Sequence, residues 1–366
     1  MNSKNSNGVK KFSLGNLSKM INKEIVENTK ITNNQWIDLT NSSTLIIDGS
    51  FLFIRAFAIA TNMKNGNGDF KNIISLFFRT LFNEIDRSNA NNILIIFDGK
   101  DTTKNRREIF KDYKMNRGGG ITSKKSFRES IKKLIEIMQQ ELPIKTYIAN
   151  GFESDDVISY LATVALPKYN NKSVRNIILS ADKDFQQLLS DNVIIYNPIK
   201  KDYVTKENFI TEHEVLPSNY IFEKIITGDK SDNVDGLKGI GKGMVKKHLS
   251  SQLNMINEDY SNDFDKFLLD INDKVVNKRL KKLITENENK LERNFKLMSL
   301  SKDIVSNNIP VRERTYLLDF VRANPLFENV KDLNIVKLLN VMNLPVDVKN
   351  IARLNKILNN LGVGVN

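Results

Sequence analysis

The chain has 366 residues, of which 40% are hydrophobic and 27% charged, the balance of a soluble globular protein with room for two or three domains. It has no cysteine, which excludes disulfides, thiolate metal sites and a cysteine nucleophile. Its two histidines, His213 and His248, leave a histidine-based zinc site or a Ser-His-Asp triad poorly supplied. No uninterrupted apolar run approaches the roughly 20 residues of a membrane span, and the N-terminus lacks the apolar stretch of a signal peptide, so a cytoplasmic location is expected. The net charge of +12 points to a polyanionic partner, and residues 100–133 concentrate it, with twelve Lys/Arg against four Asp/Glu.

In chain order, residues 1–40 are polar and Asn-rich, and read as a flexible extension. Order begins with Thr44-Leu45-Ile46-Ile47-Asp48-Gly49, a short buried strand that ends in an acid and a glycine, followed by a helix over 51–60. A turn at 65–68 leads to a helix over 73–85, where Ile74, Phe77, Phe78, Leu81 and Ile85 repeat at helical spacing. A second apolar strand over 93–97 again ends in acid and glycine, Asp98-Gly99. Further strands are expected at 144–148, 177–179 and 193–196, the second running into Ala181-Asp182-Lys183-Asp184. A short hairpin follows the last strand, and the chain from about 209 onward reads as helical. Apolar strands alternating with helices predict an α/β fold with a mostly parallel central sheet flanked by helices. The expected divisions are a core over 41–205, a DNA-binding region over 206–252 and a helical C-terminal region over 253–366.

The chain is organised around Glu153-Ser154-Asp155-Asp156, which opens an apolar helix over 157–166. Ser154 or Asp155 can cap that helix, and acids are stabilised near its positive end. Capping alone does not explain the other acids. Asp48, Asp98, Asp182 and Asp184 all fall just after expected strands, and ligands of open α/β sheets gather at that edge. So many like charges are tolerable in one place only with cations. An all-oxygen set suits a hard divalent ion such as Mg²⁺. Acids that hold metal beside bases that hold phosphate are what a nuclease needs.

In the second half, Gly236-Leu237-Lys238-Gly239-Ile240-Gly241-Lys242 lies between two short helical patterns. The shape is a helix-hairpin-helix. Its glycines permit a tight turn with exposed N–H groups that can bind phosphate. Lys238, Lys242, Lys246 and Lys247 are placed to track a nucleic-acid backbone without reading bases.

These segments together resemble the 5′-nuclease superfamily of flap endonucleases and 5′→3′ exonucleases, with a PIN-like core, over about residues 44–250. The resemblance rests on Ile47-Asp48-Gly49, Phe97-Asp98-Gly99, Tyr113-Lys114-Met115-Asn116-Arg117, Glu153-Ser154-Asp155-Asp156, Ala181-Asp182-Lys183-Asp184-Phe185, Gly228-Asp229-Lys230-Ser231-Asp232-Asn233 and the glycine-rich hairpin. Within the superfamily the sequence resembles the T4-type phage ribonuclease H branch. The resemblance implies two Mg²⁺ ions, which Mn²⁺ can replace, and a K⁺ at the hairpin. The first Mg²⁺ is expected at Asp48, Asp98, Glu153 and Asp155, the second at Asp156, Asp182, Asp184, Asp229 and Asp232. Lys114 and Arg117 are expected to face the scissile phosphate. Lys124, Lys125 and Arg128 belong to the stretch in the place of the family's helical arch, which Gly118, Gly119 and Gly120 interrupt; for these cations a solvated helix face is the alternative. Tyr113 and Phe127 either stack on bases or pack inside. The implied activity is removal of 5′ flaps and RNA primers in phage-type replication by a monomer acting on DNA and RNA/DNA duplexes, with a single-strand-binding protein and a sliding clamp as possible contacts. Two rivals remain: a non-catalytic structure-specific DNA-binding protein on the same fold, and a PIN-type ribonuclease of single-stranded RNA.

Overall fold

The structure, a computed structural model, describes residues 43–62, 69–88, 90, 92–117, 124–142, 144–169, 175–322 and 334–360. The extension over 1–40, the turn at 65–68 and the glycines Gly118, Gly119 and Gly120 lie outside them.

Six strands form one sheet: β1 (Thr44–Asp48), β2 (Asn92–Asp98), β3 (Lys145–Ala149), β4 (Asn176–Leu179), β5 (Val193–Asn197) and β6 (Asp202–Val204). Their spatial order is β3-β2-β1-β4-β5-β6. All neighbours pair parallel except β5 with β6, which form the hairpin expected after 196. The alternation of side chains along each strand divides the apolar residues between the two faces. Ile46, Leu94, Ile96, Ile178 and Ile195 belong to one core cluster, and Leu45, Ile47, Ile93, Ile95, Phe97, Ile177 and Leu179 to the other. A sheet covered on both faces explains why the strands read as unbroken apolar runs.

The second of these clusters is covered by α1 (Gly49–Asn62), α2 (Phe70–Ser88) and, beyond the short α3 (Lys104–Ile109), by α4 (Lys125–Glu141). Phe127 of α4 packs edge-on to Phe53 and Phe57, with ring centroids 5.1 and 5.2 Å apart, so it is a core residue and not a stacking platform. The other face receives α5 (Ser154–Tyr160), which runs on through a wider π-type turn, Leu161–Ala165. It also receives α6 (Lys206–His213), α7 (Tyr220–Thr227), the two-stranded ribbon of β7 (Gly228–Asp229) and β8 (Val234–Asp235), and α8 (Lys242–Val245). The helices α9 (Phe264–Lys274), α10 (Lys278–Thr285), α11 (Glu288–Met298), α12 (Lys302–Asn308) and α13 (Val311–Arg322) follow.

One apolar cluster runs from the sheet through Phe222, Phe267, Phe295 and Leu317, so the stretches expected as separate regions after 205 and 252 share a core with the sheet. The last helices, α14 (Ile335–Val341) and α15 (Val348–Asn360), instead place Leu338, Leu339, Leu354 and Leu358 in the cluster on the opposite face. No helix is long and apolar enough to cross a membrane, among the described residues.

The ribbon β7–β8 closes at a backbone pinch. A β-carbon at Gly236 would lie 2.2 Å from the carbonyl carbon of Thr227, a contact that only backbone movement could relieve. Gly236→Ala is therefore expected to destabilise the fold by roughly 1–3 kcal/mol, the usual cost of overpacking. Gly241→Ala, where nothing lies within 4 Å of the new carbon, is expected to change stability far less. Denaturant midpoints of the two variants check this.

Candidate active site

The parallel order turns back on itself at β1, whose neighbours β2 and β4 leave in opposite directions, and the crevice of such a sheet opens at the strands' carboxyl ends. Asp48 ends β1 there, Asp98 ends β2, and Asp182 follows β4. Short hydroxyl side chains tie these ends together. Ser180 Oγ donates to Asp48 Oδ2 at 3.0 Å, and the Asp98 N–H donates to Ser50 Oγ at 2.8 Å.

The start of α5 differs from expectation. Neither Ser154 nor Asp155 caps it; Glu153 occupies the cap position without a side-chain cap bond. The Ser154 N–H instead donates to Asp98 Oδ1 at 3.0 Å, so an acid from the neighbouring strand meets a free end of the helix.

Behind this edge, Glu153 is 4% exposed and surrounded by donors. Lys114 Nζ lies 2.7 Å from its Oε1, and Arg106 Nη1 lies 3.2 Å from its Oε2. The Tyr113 hydroxyl lies 3.1 Å from Glu153 Oε2 and 3.2 Å from Asp232 Oδ2, and its single proton can go to either. Burial acts to raise the Glu153 pKa, but Arg106 and Lys114 outweigh it and hold the carboxyl below its usual value. Tyr113 is thereby packed against the acids and does not stack on solvent-facing bases. Lys114 and Arg117 both reach the site: Lys114 also lies 3.8 Å from Asp232, and Arg117 pairs with Asp232 directly.

A second group gathers on Lys224 of α7. Its ammonium pairs with Asp184 and lies 3.2 Å from Asp229 Oδ2. Asp229 also accepts from the Ser231 hydroxyl at 2.6 Å. Asp182 accepts from the Asp184 N–H at 2.8 Å, which joins this group to the strand ends. Asp155, Asp182, Asp184, Asp229 and Asp232 line one cavity of about 420 Å³ with Lys114, and Asp98 and Glu153 line a neighbouring one, also with Lys114. Asp232 shares Tyr113 and Lys114 with Glu153 while lining the cavity of Asp182, Asp184 and Asp229, so it lies between the two groups of acids.

Asp156 does not line either cavity, contrary to its expected place at the second ion. It is fully buried and takes both terminal nitrogens of Arg106, at 2.7 and 2.9 Å, with Asn308 Nδ2 donating to Oδ1 at 3.0 Å. The Arg106 Nε donates to the Leu297 carbonyl at 2.8 Å. Asp156 thus anchors the C-terminal helices behind the site. Sequence reading singled out neither Arg106, one of twelve cations in its stretch, nor Lys224. The signal for Lys224 was a lone lysine in the apolar run Ile221, Phe222, Ile225 and Ile226, five residues before Asp229.

The remaining predicted residues lie apart from the acids. Lys124, Lys125 and Arg128 are exposed on α4, where Lys125 lies 3.6 Å from Glu129. In the hairpin, Gly239 has φ +81°, a left-handed conformation that glycine adopts readily. Lys238 and Lys247 are exposed, while Lys242 pairs with Glu223 at 2.6 Å and Lys246 with Glu214 at 3.2 Å. The two helices of the expected motif are present, as α7 and the helix opened by α8, but the ribbon β7–β8 lies between them.

The donor set is all oxygen, as a hard cation prefers. Burial, then Asp98 and Asp182, push the Asp48 carboxyl up to about 7, against hydrogen bonds from the Phe51 N–H and Ser180. Burial and Asp182 likewise raise Asp155 well above its usual value. Burial raises Asp184 to about 6 even beside Lys224. Carboxyls held back from ionising by burial and by one another mark a place where added positive charge is stabilising. Among the described residues no three acids are disposed to hold one ion as the side chains stand, and Lys114 and Lys224 occupy oxygens that an ion would share.

The profile of a family described as 5′-3′ exonuclease, N-terminal resolvase-like domain, matches residues 43–217. A 5′-3′ exonuclease of Buchnera aphidicola subsp. Acyrthosiphon pisum (strain APS) is 31% identical over 204 residues, 56% of this chain and 68% of that protein. The chain belongs to the 5′-3′ exonuclease family, within the 5′-nuclease superfamily. A 5′-3′ exonuclease of Aquifex aeolicus (strain VF5) is 35% identical over 199 residues, and there the match spans 54% of this chain and 65% of the relative's length, just short of two thirds. Among solved structures, a phage T5 protein crystallised with metal ions superimposes with a TM-score of 0.59 at 20% identity, over 82% of this chain and 99% of that one. The phage T5 flap endonuclease in a complex with DNA and metal ions gives 0.56 at 19%, over 77% and 100%. At these identities the two structures show that this family member has the same fold.

The raised Asp48 pKa has a measurable consequence in this exonuclease-family chain when divalent metal is chelated. The unfolded carboxyl ionises near 3.8 and the folded one near 7. Its contribution to stability is therefore complete at low pH and is lost as pH rises through the folded value. Asp48→Asn, which does not titrate, is expected to gain on the wild type between about pH 4 and pH 7 and then level off, by no more than about 4 kcal/mol. Unfolding midpoints across that range check it, and a constant difference would mean that Asp48 is ionised throughout.

Proposed function

We propose that this protein is a metal-dependent, structure-specific 5′-nuclease that hydrolyses phosphodiesters at 5′ flaps and 5′ ends of DNA and RNA/DNA duplexes. The observation that carries the reading is the convergence of acids from five separate chain segments, four at the strands' carboxyl ends and one at the β7–β8 ribbon, with Lys114 and Arg117 reaching into them. Membership of the exonuclease family supports it, as does the DNA complex of the phage T5 flap endonuclease.

Asp48, Asp98, Glu153, Asp155, Asp182, Asp184, Asp229 and Asp232 are the residues that hold Mg²⁺ in this reading. Mg²⁺ held by these residues would lower the pKa of water and offset charge on the leaving oxygen. The protein's own groups do the rest. Arg106 and Tyr113 fix the Glu153 carboxylate, and the hydroxyls of Ser50 and Ser180 fix the strand ends. Lys114 and Arg117, which reach into the acids, are placed to neutralise charge that develops on the phosphate. No side-chain nucleophile is needed, which suits a chain without cysteine. The hairpin at Gly239, with Lys238 and Lys247, grips the duplex backbone, and primer removal during replication is the corresponding role.

A labelled 5′-flap duplex is expected to be cut in Mg²⁺ and left intact in EDTA, with single-stranded RNA cut far more slowly. Asp155→Asn is expected to reduce cleavage to background while junction binding survives, and retained turnover would remove Asp155 from the metal-holding set. Lys114→Ala is expected to slow single-turnover cleavage by roughly 10²–10³-fold, as loss of a charge-stabilising donor does. Its affinity for the flap in Ca²⁺ should change much less; the opposite pattern would make Lys114 a binding residue only.

A further inference from the structure

Helix α10 has the sequence Lys278-Arg279-Leu280-Lys281-Lys282-Leu283-Ile284-Thr285, four cations without an acid. Leu280 and Ile284 are buried, which turns Lys278, Arg279 and Lys282 outward on the opposite face, all exposed. Some exposed lysines of other helices lie close to an acid, as Lys274 does 2.8 Å from Asp270, Lys266 3.2 Å from Glu258 and Lys125 3.6 Å from Glu129, while others, such as Lys302 and Lys349, form no ion pair among the described residues. On α10 only Lys282 has such a partner, Glu286 at 3.7 Å, and Lys281 donates to the Asn272 carbonyl. Among the described residues Lys278 and Arg279 form no ion pair. Their positive charge is left for an external anion.

The position of that charge is the second observation. A terminal nitrogen of Arg279 lies 3.5 Å from where a β-carbon on Gly239 would sit, so the guanidinium abuts the hairpin turn. The space around Gly241 and Gly243 is open. The relation between hairpin and helices is held from behind. Lys290 Nζ donates to the Gly236 carbonyl at 2.7 Å, and Asn294 Nδ2 donates to the carbonyls of Ile225 and Asp235, each at 3.0 Å. The turn and α10 therefore present a single cationic surface.

We infer that α10 extends the hairpin's grip, with Lys278, Arg279 and Lys282 binding the phosphate backbone of the duplex arm beyond the contact at Gly239. This rests on the nuclease reading above and adds to it which part of the substrate is held. The contact is sequence-independent, since backbone phosphates carry no base information.

The test is binding of the full chain to 5′-flap substrates in Ca²⁺, with wild type compared to the triple variant Lys278→Ala, Arg279→Ala, Lys282→Ala. One substrate carries a long duplex arm and the other an arm cut to about half a helical turn, roughly 5 base pairs. On the long arm, the log–log salt slope of the variant is expected to be shallower by about 2.7, at 0.9 for each of three phosphates. On the short arm the two proteins should bind alike, and cleavage at saturating protein in Mg²⁺ should be unchanged. Arg279→Glu alone should weaken the long-arm complex further than Arg279→Ala. If the wild type binds with a steep slope and the variant keeps it, or loses the same on both arms, the inference falls and the nuclease reading stands. Wild type that neither binds nor cuts the flap overturns both. Unchanged duplex binding with loss of an acidic protein ligand would assign α10 to a different partner and also overturn the inference.

Discussion

The burial of carboxylates gathered at one sheet edge, compounded by their mutual repulsion, is the constraint around which this molecule is built. Asp48, Asp155 and Asp184 resist ionisation where they stand, because burial removes water and their neighbours are themselves acids. Such an arrangement survives only if positive charge is brought to it. Four side chains bring it: Arg106 from α3, Lys114 and Arg117 from the segment after it, and Lys224 from α7. Glu153 shows the result, since burial alone would raise its pKa and the surrounding cations instead lower it.

The rest of the fold keeps these charges in register. The parallel sheet delivers Asp48 and Asp98 from adjacent strands, with Asp182 following the next strand over. Among the described residues the C-terminal helices contribute no acid to the cluster, yet Arg106 and Asp156 are held in place by the Leu297 carbonyl and the Asn308 amide. Through these two hydrogen bonds the helical half supports the site from behind. Asn294, fully buried between α7 and β8, does the same for the hairpin.

The strands and their terminal acids were legible in the amino-acid sequence because both signals are local. A run such as Leu45-Ile46-Ile47 is long enough to declare a strand buried on both faces, and the acid that follows it marks the strand's end. Lys114 and Arg117 came only from the resemblance to the family, whose basic positions they match. Local pattern also gave a reason to expect the glycine turn at Gly239, whose positive φ the structure bears out.

Pairing was not legible. Asp155 and Asp156 are neighbours in the chain, and nothing in their order says that one lines the cavity while the other is enclosed by Arg106. That depends on which face of α5 meets α12, a matter of packing over a separation of 152 residues. The same holds for Phe127, whose aromatic ring could have faced a base and instead packs on Phe53, and for the opening of α5, where Asp98 from another strand takes the place of a local cap. Sequence alone thus settled which residue types stand at which strand ends, because the hydrophobic period and the chain direction decide it. Only the tertiary structure decided which charges cancel each other, because Coulomb energies depend on distances in space that separation along the chain does not set.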